Sequence, residues 1–197
     1  MSPRVRPVSS MPAGGPLTPD LVRLESVVAP DVINALATAS AELQRLGIRH
    51  LVVGALAVGM YGAPRATPDV DLLVGPEAYE HYSVRRREFT CFVPGVPVLV
   101  DGVRIDLYPG DGGGGGAFAD QVRAQETLRH TIPVALPEEV VLQKLRLWRT
   151  KDKRDVEALL RLHPGLPAWI EDALARHPER GVPLRTRYLD ARRAVGL

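Results

Sequence analysis

Between residues 30 and 46 the apolar side chains Val32, Ile33, Leu36, Ala39 and Leu43 recur at helical spacing, and Gly47 follows as a stop signal. The period then shortens. "IRHLVVG" (48–54) is a β-rich run ending in glycine, and "ALAVGMYG" (55–62) suits a short helix whose small residues allow close packing on a sheet. "VDLLV" (70–74) reads as a second strand. "PEAYEHYSVRRREF" (76–89) opens on a proline and reads as a helix. Alternation returns in "VPVLVDGVRIDLYPG" (96–110), where Asp101-Gly102 between two apolar runs predicts a hairpin. "TIPVALP" (131–137) predicts one more short strand. Helical spacing then fills 137–148, 152–162, 167–177 and about 184–195. Strands interleaved with helices, then a run of helices, predict an α+β fold: a small mixed β-sheet flanked by helices, with a helical C-terminal part. The expected division is a disordered tail over 1–29, a core over 30–136 and a helical part over 137–197.

Composition adds few constraints. The 197 residues are 45% hydrophobic and 24% charged, enough to build a buried core. A formal charge of +2 selects no partner, and the low aromatic content does not suggest a stacking platform for single-stranded nucleic acid. A single cysteine, Cys91, excludes an internal disulfide and a cysteine-rich metal site. The five histidines lack ligand spacing, which argues against zinc. No run approaches the roughly 18 apolar residues needed to cross a bilayer, and the leading residues lack a signal-peptide core. A cytoplasmic chain without membrane contact is expected.

The chemistry concentrates in "GAPRATPDVDLLV" (62–74). Alternation turns Asp69 and Asp71 to one face of a strand, roughly 7 Å apart at Cα, while Val70 and Leu72 face the core. Asp106 in "VRIDLY" has the same relation to Ile105 and Leu107. If the two strands pair, three carboxylates meet on one sheet edge, where each raises the pKa of the others unless a cation offsets them. Mg²⁺ or Mn²⁺ suits such a set, being hard and satisfied by a few carboxylates plus substrate phosphates. Two such ions about 3.5–4 Å apart can activate an attacking hydroxyl and stabilise a leaving pyrophosphate. Solvated turn residues are the plainer alternative for the bare Asp-x-Asp pair.

The span from Gly54 to Val74 resembles the nucleotidyltransferase superfamily of DNA polymerase β type, and more closely its minimal, AbiEii-like branch. That branch shows the pattern GGxAxxxxGxxRxTxDxDLxV, and Gly54, Ala57, Gly62, Arg65, Thr67, Asp69, Asp71, Leu72 and Val74 match it. A glycine at a strand-to-helix turn lets backbone N–H groups approach triphosphate oxygens, so Gly54 and the Ala55 amide are expected to cradle the nucleotide. The second glycine or serine of the pattern is Ala55 here, which removes a hydroxyl. A second block, "PEEVVLQKLRLWRTKDKRDVEALL" (137–160), resembles a helical element of the same branch through Lys144, Arg149, Lys151, Asp152 and Asp155. Lys144 and Lys151 share a face if the helix runs unbroken, and both are expected to bind nucleotide phosphates, with Asp152 and Asp155 orienting them. A solvated basic face with a Lys151–Asp155 ion pair is the alternative.

The resemblance implies transfer of NMP from an NTP to an acceptor hydroxyl. Asp69 and Asp71 would bind both ions, and Asp106 would bind one and help deprotonate the acceptor. Acceptors in that branch include tRNA and other RNA, proteins and small molecules, and members act as toxins beside a cognate antitoxin. A non-catalytic nucleotide-binding module and an antibiotic adenylyltransferase are the competing readings. Arg65 would clamp a phosphate or hold the loop against Asp69, and Arg104 would pair with Asp106. The five glycines at 112–116 read as a loop insertion, and the C-terminal arginines as a solvated face or an RNA contact.

Overall fold

The computed structural model describes residues 17–75, 78, 98–109, 132–176 and 183–197. The helix expected over 76–89, Cys91 and the five-glycine run lie outside these, apart from Ala78.

Four strands form one sheet in the order β1 (His50–Val52), β2 (Asp69–Val74), β4 (Val103–Pro109), β3 (Val98–Val100). β1 runs antiparallel to β2, β2 parallel to β4, and β3 antiparallel to β4, so the sheet is mixed. The expected hairpin is present. Asp101 and Gly102 both take positive φ (50° and 82°), the geometry that matches a two-residue turn to strand twist. The strand expected over 131–137 shrinks to one bridge, Val52 with Val134, because Pro133 removes a donor.

Among the described residues six α-helices complete an α+β fold: α1 (Pro30–Arg45), α2 (Gly54–Met60), α3 (Pro137–Leu147), α4 (Thr150–Leu162), α5 (Leu166–Arg176) and α6 (Leu184–Val195). α1 places Val32, Ala35, Leu36, Ala39 and Leu43 against the sheet and begins with a proline at its first turn. The apolar side of the sheet comes from Val70, Leu72 and Val74 on β2 and Val103, Ile105 and Leu107 on β4, all buried. One continuous core runs from α1 and these strands through Leu56 and Val58 of α2 to Leu142, Leu145, Val156 and Leu159 of α3 and α4.

One expectation is corrected here. The folded part begins before residue 30: Leu21–Leu24 is a 3-10 helix, Leu24 is fully buried, and Asp20 N donates to Met60 O at 3.0 Å. As the apolar spacing over 137–148 and 152–162 predicts, two helices form here, and the unbroken one that would put Lys144 and Lys151 on one face does not; α3 carries Lys144. It ends at Leu147, Trp148 is left-handed (φ 53°), and α4 starts afresh at Thr150. Asp152 caps the new helix by accepting from Arg149 N at 3.0 Å, which satisfies a first-turn donor. No helix among the described residues is long and apolar enough to cross a membrane.

Candidate active site

β2 and β4 place the acids. Their parallel register sets Asp71 directly opposite Asp106 and Asp69 opposite Arg104. Because Val70, Leu72, Ile105 and Leu107 are buried on the other face, Asp69, Asp71, Arg104, Asp106 and Tyr108 share the face away from α1. The three carboxylates expected from the sequence therefore lie on one face, in two adjacent rows.

Each acid has a neutral or cationic neighbour. Thr67 Oγ1 donates to Asp69 Oδ1 at 2.5 Å, Tyr108 Oη donates to Asp71 Oδ1 at 3.3 Å, and Arg104 pairs with Asp106 at 2.9 Å. Burial pushes the Asp71 carboxyl above its ordinary range, Asp69 and Asp106 push it further, and Lys144 pulls it partly back. Burial, with the charges of Asp71 and Asp106, raises Tyr108 to about 12. Tyr108 was not singled out from the sequence, although it stands two residues beyond Asp106 and shares its face by the same alternation.

Gly54 closes one side of this group. Its φ is +67°, a conformation that disfavours side chains, and a Cβ there would sit 2.7 Å from Asp71 Cγ and closer still to Oδ2. Val53 N donates to Asp71 O at 3.0 Å, which locks the turn to β2. Ala55 is buried, so its methyl group faces the core.

Behind the acids runs a chain of charges. Lys144 Nζ lies 2.8 Å from Asp155 Oδ2 and 3.3 Å from Asp152 Oδ1, with all three side chains at most 5% exposed. Arg65 forks onto Asp155 (2.9 and 3.2 Å), and Arg149 Nε reaches Asp152 Oδ2 at 2.7 Å. Asp152 is held below its ordinary range: burial opposes this, but Arg149 and Lys144 prevail.

This geometry revises several assignments. Lys144, expected on a phosphate, is enclosed and committed to two carboxylates, which do orient it. Arg65 holds its loop against α4 through Asp155, not against Asp69. Asp155 pairs with Lys144 and Arg65, not with Lys151, which is exposed at the start of α4. Arg149 is also exposed; its hydrogen bond to Asp152 raises its pKa, and the charges of Asp71 and Tyr108 add to this in the same direction.

The donor set suits a hard divalent cation in chemical type: oxygen only, three carboxylates on one face, and a repulsion at Asp71 that a cation would relieve. Among the described residues, no three candidate ligands stand close enough to hold one ion without side-chain movement. Arg104 and Tyr108, the groups that would have to move, are 57% and 45% exposed.

No known family pattern and no curated protein matches the chain. Solved structures do. One is an antigenic nucleotidyltransferase-like protein from Paracoccidioides brasiliensis, 14% identical, with the match covering 87% of this chain and 95% of that one at a TM-score of 0.38. A likeness of that size carries neither fold nor function to this chain, whose own side-chain geometry has to supply both.

Proposed function

We propose that the protein is a divalent-cation-dependent nucleotidyltransferase that moves NMP from an NTP to an acceptor hydroxyl and releases pyrophosphate. What supports this most is one observation: Asp71 stands opposite Asp106 across a parallel strand pair, with Asp69 on the same face, beside a glycine that admits no side chain. Mg²⁺ or Mn²⁺ held by Asp69, Asp71 and Asp106 would supply charge stabilisation at the transferring phosphoryl group.

The chain's own residues do the rest by position. Gly54 and the Ala55 amide present backbone to the triphosphate. Lys151, exposed at the start of α4, is the cation placed to meet phosphate oxygens in place of the enclosed Lys144, with the Arg149 guanidinium beside it held on Asp152. Asp106 takes the proton of the acceptor hydroxyl as its oxygen bonds to the α-phosphorus and the bond to the β-phosphate oxygen breaks. The buried chain Arg65–Asp155–Lys144–Asp152–Arg149 ties the loop before β2 to α3 and α4, fixing where the acids stand relative to those cations.

RNA, protein and small-molecule acceptors are separated by one experiment. Each α-labelled NTP is incubated with Mg²⁺, the protein and an RNA-plus-protein lysate, beside an Asp71→Asn variant. Label entering a macromolecule with wild type alone supports the reading and names the acceptor class; capture of an antitoxin from the same lysate would add the toxin role. Label confined to an aminohydroxyl compound would make it a small-molecule adenylyltransferase. A non-catalytic nucleotide-binding module is the second reading, favoured by Ala55 and by the grip of Arg104 on Asp106. It expects tight Mg²⁺–NTP binding with no transfer.

A further inference from the structure

The three acids do not stand equally open to a cation. Arg104 precedes Asp106 by two residues on β4, so both project from the acidic face, and the register sets Arg104 opposite Asp69. Its guanidinium takes both oxygens of Asp106, with Nε 2.9 Å from each and Nη2 2.9 Å from Oδ1. Asp106 is 14% exposed under this fork, whereas Arg104 is 57% exposed. The anion is covered and the cation rides on a long stem with solvent beside it. A bidentate guanidinium and a divalent ion need the same carboxylate lone pairs, so they cannot both hold Asp106 fully.

We propose that Arg104 is a displaceable counter-ion that occupies Asp106 until a divalent cation takes its place, so that this one contact sets the cation concentration at which the acidic face loads. The inference rests on reading that face as a cation site. While the cation is absent, the guanidinium relieves the repulsion between Asp106 and Asp71 across the central strand pair and keeps this face of the sheet stable. When the cation binds, the guanidinium swings outward, and its surface position makes that movement inexpensive.

Mn²⁺ binding to the full chain, followed by electron paramagnetic resonance of free Mn²⁺, tests this with wild type, Arg104→Ala, Arg104→Lys and Asp71→Asn. Lysine keeps the charge but lacks the fork. Both Arg104 variants are expected to bind Mn²⁺ about two- to fivefold more tightly than wild type, the range set by an exposed ion pair, with lysine close to alanine. Tightening in the alanine variant alone would mean a simple charge effect and would overturn the displacement. Unchanged affinity in both would also overturn it, while loss of binding in Asp71→Asn would leave the cation site standing. Wild type binding no more Mn²⁺ than Asp71→Asn would remove the cation site and the counter-ion role together. Thermal melting gives a second readout. Arg104→Ala should melt below wild type without Mn²⁺ and level with it at saturating Mn²⁺; a deficit that persists counts against the proposal.

Discussion

Replacing Gly54 by alanine tests how tightly the turn after β1 is built around Asp71. Two costs combine. At φ +67° an alanine is left-handed, which costs about 1–2 kcal/mol. The new Cβ would also overlap the Asp71 carboxylate, at 2.7 Å from Cγ, so a half-buried acid between two others has to move. Forced repacking of that kind adds about 1–3 kcal/mol. Gly47 supplies the control, since its φ is +70° and nothing lies within 4 Å of a Cβ there, so Gly47→Ala carries the conformational cost alone. Urea unfolding of both variants should therefore show Gly54→Ala losing about 1–3 kcal/mol more than Gly47→Ala. Asp71→Ala removes the two nearest atoms but keeps a Cβ 2.9 Å away, so in that background the excess should shrink without disappearing. Equal losses for the two glycines, or an excess indifferent to Asp71, would refute the packing of Gly54 on the acid.

Lys144→Met should destabilise the protein, because Asp152 and Asp155 lose a shared buried cation. Arg149 and Arg65 remain on those acids, so denaturant melts should show a loss below the about 3–5 kcal/mol of a wholly orphaned buried charge. A neutral or stabilising outcome would show that packing outweighs this ion chain. His50 should make stability fall in mild acid. It is buried, bonded to Ser40 at 2.8 Å and near Ile48 O at 3.1 Å, and burial holds its pKa below the ordinary 6.5. Between the lowered folded value and 6.5 the unfolded chain binds the extra proton, so stability is full above 6.5 and falls as pH drops below it, by at most about 1.4 kcal/mol per pH unit. Melting curves from pH 7.5 to 5 should show this slope in wild type and a flatter one in His50→Gln; identical slopes would exclude His50 as its source. Asp106→Asn should lower nucleotidyl transfer by about 10²-fold or more while leaving melting within a few degrees, since loss of the Arg104 ion pair is offset by relief of the repulsion with Asp71. Retained turnover would take the proton-accepting role away from it.

Much of this arrangement could be read from residue order because local rules govern it. Alternation fixes which side Asp69, Asp71 and Asp106 take, and Asp101-Gly102 supplies the two positive φ angles its hairpin requires. Pairing of β2 with β4 was an inference from two similar strands, and the parallel register that sets Asp71 against Asp106 depends on chain routing that periodicity does not encode. The end of α3 near residue 148 was legible from the apolar spacing, but the positive φ of Trp148 that makes the turn was not, because tryptophan seldom takes a left-handed conformation. Lys144 read as a surface cation for the same reason that most lysines are one. Its burial follows from Asp152 and Asp155 on the next helix, and Arg65 joins them from 90 residues away. Contacts at that separation leave no periodic trace.

Nucleotidyl transfer differs from phosphate transfer and from hydrolysis in where a label travels, and that difference tests the central claim most directly. The protein is incubated with Mg²⁺ and the acceptor fraction that takes up label, using NTP labelled at either the α- or the γ-phosphate, beside Asp71→Asn. The expected result is α-label on the acceptor, γ-label released as pyrophosphate, and neither with the variant. An acceptor carrying γ-label, or equal transfer by wild type and Asp71→Asn, would contradict it.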